Sequence, residues 1–93
     1  MKEQFRQYLI ESGYKEITPS GHPSTVYDYI KRIEKVCEWE RKNWETLAMN
    51  IDTIVAIYDV GGAKEEWGKK SHSAVINALR RYQEFVRECH HNL

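Results

Sequence analysis

Apolar side chains recur every three or four residues through most of this chain, and this spacing constrains the fold more than any other feature. It is clearest in the last segment, where one face collects Val75, Ala78, Leu79, Tyr82, Phe85, Val86 and Cys89. Such spacing places apolar residues on one side of an α-helix. No segment shows the two-residue alternation of a β-strand. The sequence therefore predicts an all-α fold.

Turn and capping signals divide this pattern into four predicted helices. Their approximate bounds are 2–12, 24 or 25 to 40, 44–59 and 71–89. A serine or threonine hydroxyl can accept hydrogen bonds from the first amides of a helix, and glycine can close its last turn. On that basis Ser24 or Thr25 caps the second helix and Ser71 caps the fourth. Gly13 ends the first helix, and Gly61 with the next glycine ends the third.

The third segment leaves two interpretations open. It forms one helix from Trp44 to Asp59, or Asn50 caps a shorter helix from Ile51 and residues 44–49 form a separate turn. Both interpretations keep the same apolar face, so the choice does not change the predicted fold class.

The connections between these segments are predicted to be irregular. Residues 14–23 contain Pro19 and Pro23, and each proline disfavours helical angles in the residue before it. Residues 63–70 are polar and indicate a loop. Four apolar faces joined by short connections must pack against one another. We therefore expect a single domain, residues 1–93, built as a compact bundle of four to five helices.

The charges balance overall but are unevenly distributed. Fourteen Lys and Arg residues face fourteen Asp and Glu residues, so the formal net charge is zero. Residues 44–59 carry three acidic residues and no basic ones, whereas residues 60–93 carry six basic residues against four acidic ones. Many nucleic-acid binders have a basic surplus, since binding neutralises phosphates. The balance argues against strong binding to nucleic acid unless the basic residues lie on one face.

Several functional classes lack their usual sequence signals. The longest uncharged apolar stretch, residues 54–58, is far shorter than the roughly 20 residues of a membrane span, and no apolar run follows Met1 as in a signal peptide. Cys37 and Cys89 both fall on apolar faces, which favours two reduced core thiols in a cytoplasmic protein, although a disulfide between them is geometrically possible. Met1 and the polar tail favour a complete small protein.

No catalytic or metal-binding pattern stands out. The chain has neither a glycine-rich phosphate loop nor a Gly-x-Ser-x-Gly turn. Cys89, His90 and His91 are potential metal ligands, but a structural zinc site needs a second spaced pair, and an unstructured C-terminus explains them better. We therefore expect no enzyme, no cofactor, no metal and no small-molecule substrate.

The three tryptophans have different expected positions. Trp44 continues the apolar face of the third segment and is predicted to lie in the core. Trp39 lies at the flank of the second helix, where it and Trp44 are expected to clamp the turn between the two helices. Trp67 falls in the polar connection, so it either folds back over the bundle or is exposed and contacts a partner.

Three runs of residues resemble the core-binding domain of tyrosine recombinases and phage integrases. Residues 24–33, which begin Ser24-Thr25 and carry Tyr29 and Ile33, resemble the S-T-x-x-x-Y-x-x-x-L segment that opens the second helix of that domain. Residues 68–86 resemble its last helix, in which a small residue and a hydroxyl cap precede an A-L-R-x-F-x-x-F-like pattern. Residues 5–9 match its short opening helix, and the third predicted helix fits in order and length. With that helix included, the resemblance covers nearly the whole chain.

The resemblance implies a SAM-like helical bundle that binds duplex DNA with its second and fourth helices. On the second helix it implies contacts from Thr25, Lys31, Arg32 and Lys35. On the fourth it implies contacts from Lys69, Lys70, Ser71, Asn77, Arg80 and Arg81. Lys and Arg suit phosphates, the hydroxyls suit positioning, and Asn and Arg suit base edges.

This chain departs from the family in having no catalytic domain. The family's His-x-x-Arg motif is missing, since no histidine here is followed three residues later by arginine. The expected function is therefore a non-catalytic DNA-binding module of phage or mobile-element type. The alternative is a protein-interaction or oligomerisation module that binds itself or another protein. A continuous basic patch would favour DNA, whereas an exposed Trp67 would favour a protein partner.

Overall fold

Six α-helices follow one another in the computed structural model, which describes residues 1–14 and 25–91, with side chains as far as residue 89. They are α1 (Lys2–Glu11), α2 (Thr25–Glu40), α3 (Trp44–Met49), α4 (Ile51–Tyr58), α5 (Glu65–Gly68) and α6 (Lys70–His91). No strand occurs within these ranges. The all-α prediction is confirmed. The predicted cap at Ser24 and the two prolines of the first connection lie outside the described residues.

α6 is the central helix of the bundle, because it packs against each of the other five helices. Its predicted apolar face supplies Val75, Leu79 and Tyr82, which are almost completely buried. α1 adds Phe5 and Leu9 to the same core, while α2 and α4 add their isoleucines and valines. The core is thus built from the apolar faces that the sequence pattern predicted. None of the helices described is long and apolar enough to cross a membrane.

Asn50 divides the third predicted segment into α3 and α4, which confirms the helix start at Ile51 in the second interpretation, although residues 44–49 form a helix and not a turn. The side chain of Asn50 does not cap α4 as expected, because its Nδ2 donates to the carbonyl of Thr46 at 2.9 Å. The cap that the sequence analysis missed lies one helix earlier, at Asn43. Asn43 Oδ1 accepts from the Thr46 amide at 2.8 Å, and Thr46 Oγ1 accepts from the Asn43 amide at 2.9 Å. This reciprocal pair starts α3.

α1 and α2 end in the same backbone geometry but with different residues. In α2 the amide of Lys42 donates to the carbonyl of Cys37 at 2.9 Å. In α1 the amide of Tyr14 donates to the carbonyl of Leu9 at 3.0 Å in the same way. Each motif needs one residue with positive φ. Glycine supplies it in α1 (Gly13, φ 101°), but α2 uses Arg41 (φ 53°). The Arg41 backbone is strained because its Cβ crowds the left-handed conformation.

The predicted loop over residues 63–70 is wrong in its middle, where α5 forms. Four residues are too few for a helical period to appear in the sequence, so tertiary contacts must hold this turn. Gly68 allows one of them. A Cβ on Gly68 would lie only 2.0 Å from the carbonyl oxygen of Tyr58, so only glycine lets α5 approach α4 this closely.

The predicted cap at Ser71 is also wrong. Ser71, His72 and Ser73 all have left-handed backbone angles, with φ between 57° and 67°. The regular right-handed part of α6 therefore begins after Ser73. Residues other than glycine seldom adopt this backbone conformation, and each one that does costs on the order of 1 kcal/mol of stability. The connection between α5 and α6 is consequently a strained backbone segment.

Candidate functional site

The nominated DNA-contacting cations of α2 are engaged within the molecule. Arg32 pairs with Asp28 at 3.0 Å, and Lys35 pairs with Glu38 at 3.7 Å. Lys31 has a different environment, because its Nζ lies 5.4 Å from the centre of the ring of the exposed Tyr27. Thr25, also nominated, is exposed at the first position of α2.

Three nominated cations near or on α6 are engaged in the same way. Lys69 pairs with Glu65 at 2.8 Å, Arg80 with Asp59 at 2.6 Å, and Arg81 with Glu84 at 3.0 Å. The partner of Arg80 lies at the end of α4, so this pair joins two helices. Hydrogen bonds from Arg80 and from a backbone amide hold the pKa of Asp59 below its usual value.

A small surface cavity of about 210 Å³ brings together Lys69, Asn77 and Arg80. Asp59 and Glu65 line the same cavity, and the hydrogen bond from Lys69 lowers the pKa of Glu65. Both carboxylates are therefore charged at neutral pH. The cavity presents two cations with two anions and is not a uniformly basic surface.

Other nominated residues lie apart from this cavity. Lys31 lines a groove between α1 and α2, and Arg81 pairs with a glutamate of its own helix. Ser71 is exposed in the left-handed segment. The structure thus groups three of the ten nominated residues around one cavity and gives five of the seven nominated cations a carboxylate partner within 4 Å.

The seventh nominated cation, Lys70, belongs to an aromatic surface that the sequence analysis did not assemble. The rings of Trp39 and Trp67 meet nearly at right angles, with centres 4.7 Å apart. The Lys70 Nζ lies 4.8 Å from the centre of the Trp67 ring and 5.9 Å from that of Trp39. Ammonium groups at this range are attracted to the faces of tryptophan rings. We call these three residues the tryptophan surface.

Hydrogen bonds to the Glu40 carboxylate hold the residues that lie beneath the tryptophan surface. Trp39 stacks on the buried ring of Tyr58, whose hydroxyl donates to Glu40 Oε2 at 2.7 Å. Lys64 Nζ donates to the same oxygen at 2.6 Å. Burial raises the pKa of Glu40, but these two hydrogen bonds lower it by more, so the carboxylate is charged at neutral pH. The arrangement ties the end of α2 to α4 and to the start of α5.

The positions of the tryptophans answer the question that the sequence left open for Trp67. Trp67 packs on Trp39 and is nevertheless 42% exposed, so it folds back over the bundle and also faces solvent. The predicted clamp of Trp39 with Trp44 is wrong, because Trp39 contacts Tyr58 and Trp67 instead. Trp44 is partly buried against the core, where the centre of its ring lies 5.9 Å from that of Phe5. The order of residues gave no signal that Trp39 and Trp67 would meet across 28 positions.

The two thiols differ in environment and are free of each other. Cys37 is half-buried, and burial raises the pKa of its thiol to about 11. Cys89 is exposed, so its predicted place in the core is wrong. Among the residues with described side chains, no three His, Cys, Asp or Glu side chains gather as metal ligands would. The imidazoles of His90 and His91 lie outside that set.

The fold and this surface define an all-helical module whose exposed aromatic residues carry a lysine. Comparison with models of protein families, with curated proteins and with solved structures found no match for this chain. The resemblance to recombinase core-binding domains therefore rests on the sequence runs alone.

Proposed function

We propose that this protein is a non-catalytic module that binds another protein through the tryptophan surface. The observation that carries this proposal is the 42% exposure of Trp67 on the perpendicular ring of Trp39. Tryptophan is among the residues most enriched at the centres of protein interfaces, where a rigid ring buries a large area at low entropic cost. Tyr58 and its hydrogen bond to Glu40 already hold the Trp39 ring in place, so this side chain loses little conformational entropy when a partner covers the rings.

Strained backbone borders the same surface and supports the proposal. Lys70 immediately precedes three left-handed residues, and Arg41, also left-handed, follows shortly after Trp39. Residues with unfavourable backbone conformations are concentrated at binding and switching sites. Each one costs free energy, so it persists only where the surrounding structure holds it in place. This placement is what a surface selected for binding would show.

Lys70 indicates the chemistry of the partner. No carboxylate of the described chain lies within ion-pair distance of it, in contrast to Arg32, Arg80 and Arg81. A carboxylate from a partner would therefore gain a charge-assisted hydrogen bond without displacing an existing ion pair. We expect the partner to present an acidic residue next to an apolar one, so that the apolar side chain covers the Trp67 ring.

Duplex DNA is the second candidate, and it is favoured by the cavity that gathers Lys69, Asn77 and Arg80. A phosphate entering that cavity would also meet Asp59 and Glu65, both charged at neutral pH. Exposed ion pairs are weak and can be displaced, but the nearby carboxylates reduce the net attraction. A phage or mobile-element role belongs with this candidate, and a cytoplasmic location, in keeping with two free thiols, belongs with both.

The test selects random peptides displayed on phage against the parent protein and then measures one selected peptide by calorimetry. Under the proposal the selected peptides are enriched in Asp or Glu beside an apolar residue. Trp67→Ala should weaken the binding at least tenfold, which corresponds to about 1.4 kcal/mol. Lys70→Gln should weaken it less, because the rings remain. Tyr27→Ala is the matched control, since it removes another exposed aromatic ring from a different face.

Equal affinity of the selected peptides for the parent and for Trp67→Ala would contradict the proposal. A labelled random-sequence duplex, titrated at low and at moderate salt, tests the DNA candidate in parallel. If DNA binds along α6, Arg80→Ala with Arg81→Ala weakens the binding and reduces the slope of log affinity against log salt by up to about two. If the parent protein has no measurable affinity for the duplex at low salt, the DNA candidate is rejected.

A further inference from the structure

A second surface, remote from the tryptophans, has the form of a docking groove. It lies between α1 and α2 and has a volume of about 440 Å³. Val26 and Ile30 form its apolar floor, and the ring of Tyr27, 49% exposed, forms part of its wall. The volume is large enough for one long aliphatic side chain to enter from outside.

The rim of this groove is mainly basic. Among the described residues, Lys2, Arg6 and Lys31 line it together with one carboxylate, Glu34, which pairs with Lys2 at 3.0 Å. Arg6 also pairs with Glu3, which does not line the groove. Lys31 is held by the Tyr27 ring and has no carboxylate partner in the described part of the chain. The groove therefore favours an apolar side chain that is accompanied by acidic residues.

The chain carries such a feature on α3 and α4. Met49 is 82% exposed, the most exposed of the large apolar side chains in the described residues. Glu45 lies one helical turn before it in α3, Asp52 lies three residues after it in α4, and both are exposed. Both acids have exposed partners in the same chain: the N-terminal ammonium of Met1 lies 3.6 Å from Glu45 Oε1, and Asp52 Oδ1 accepts from Gln83 at 2.8 Å and from Arg87 at 3.4 Å. Exposed contacts of this kind contribute little stability, so a partner's cation can replace them. Residues 43–63 contain no lysine or arginine.

The groove and the Met49 face lie on the two sides of α1. Lys2 joins α1 to α2 beside the groove, whereas Phe5 contacts Trp44 at the start of α3. Two complementary patches on either side of one helix can both be satisfied by a two-fold axis beside that helix. The zero net charge of the chain also removes the general repulsion that would keep copies apart.

We propose that two copies of this chain associate with Met49 of each copy in the α1–α2 groove of the other. Asp52 of one copy then lies near Lys31 of the second, and the exposed thioether of Met49 gains an apolar environment. This inference goes beyond the proposed function, because it uses neither Trp67 nor Lys70.

The test is a charge exchange measured by analytical ultracentrifugation at increasing protein concentration. Lys31→Glu makes the groove repel the Met49 face, and Asp52→Lys makes that face repel the groove. Each variant alone should associate at least about tenfold more weakly than the parent protein. An equimolar mixture of the two should recover an affinity within about threefold of the parent, because the reversed charges then complement each other. Circular dichroism confirms that both variants are folded.

Two further variants make the result specific. Lys69→Glu reverses a charge outside both patches, and Trp67→Ala removes the ring of the tryptophan surface, so both should associate like the parent. Association lost in Trp67→Ala would place the interface on the tryptophan surface and overturn this inference. A parent protein that stays monomeric over the whole concentration range, or a mixture that fails to recover, would overturn it as well.

Discussion

Two aromatic clusters of this molecule differ in how far they are exposed to solvent. One, which we call the buried aromatic cluster, consists of Phe5, Trp44, Tyr82 and Phe85, with ring centres 5.1 to 5.9 Å apart. The Tyr82 hydroxyl in this cluster donates to the Trp44 carbonyl at 2.6 Å. The tryptophan surface has rings at similar distances but holds a lysine on its outer side. The first cluster removes aromatic area from water, and the second leaves some of it exposed.

The backbone around the two clusters differs as well. The non-glycine residues with positive φ in the described part of the chain are Arg41, Ser71, His72 and Ser73, and all follow closely on Trp39 or Lys70. The buried aromatic cluster sits on regular helix and on the capped start of α3. We infer that stability is concentrated in the first cluster, while the second retains the strain and exposure on which the proposed function depends.

The largest expected difference comes from removing one ring of each cluster. Phe5→Ala should lower the free energy of unfolding by about 4 kcal/mol, because Phe5 is completely buried and leaves a cavity. Trp67→Ala should lower it by only about 1 kcal/mol, since that ring is partly exposed and loses mainly its contact with Trp39. Urea denaturation measures both. Similar losses in the two variants would show that the clusters are energetically alike.

Gly68→Ala tests whether the tryptophan surface depends on close packing beneath it. The added Cβ would collide with the Tyr58 carbonyl oxygen, so α5 must shift, and we expect a loss of about 3 kcal/mol. Trp67 fluorescence should change in the folded state, because its ring moves relative to Trp39. Lys69→Ala, one residue further on and exposed, is the control and should cost no more than about 1 kcal/mol. Unchanged stability in Gly68→Ala would mean that α5 is not packed against α4.

His72→Gly should relieve strain beside the tryptophan surface. Glycine adopts positive φ without a steric penalty, so we expect the free energy of unfolding to rise by about 1 kcal/mol. The same substitution at Glu88, an exposed residue of the regular part of α6, should lower it by a similar amount. A thermal denaturation series compares the two. Destabilisation in both variants would indicate that residue 72 is not left-handed in solution.

The smallest expected effect is a pH dependence carried by Glu40. Its folded-state pKa lies below the ordinary value of 4.5, because the bonds from Lys64 and Tyr58 outweigh the effect of burial. The stabilisation is therefore present above pH 4.5 and is lost as the pH falls through the folded-state pKa. On acidification from neutral pH, the parent should lose up to about 1 kcal/mol more stability than Glu40→Gln. Parallel urea titrations measure this difference, and identical losses would contradict the assigned role.

The sequence by itself determined the helical class and most of the long helices. The apolar spacing of α2 and of the regular part of α6 is a local property, because residues three or four apart share one face whatever surrounds them. Gly13 likewise marked the end of α1, since its positive φ is a local requirement. Trp67 was recognised as a candidate, but only as an isolated residue with two possible positions.

Only the tertiary structure decided how the candidate surfaces are assembled. Trp39 and Trp67 meet because Gly68 lets α5 approach the end of α4, and a four-residue helix leaves no period in the sequence. The pairing of Arg80 with Asp59 likewise depends on how α6 packs against α4. Helical periodicity follows from neighbours along the chain, whereas the meeting of distant side chains follows from the packing of whole helices. That packing is set by many weak contacts at once, so no single stretch of sequence records it.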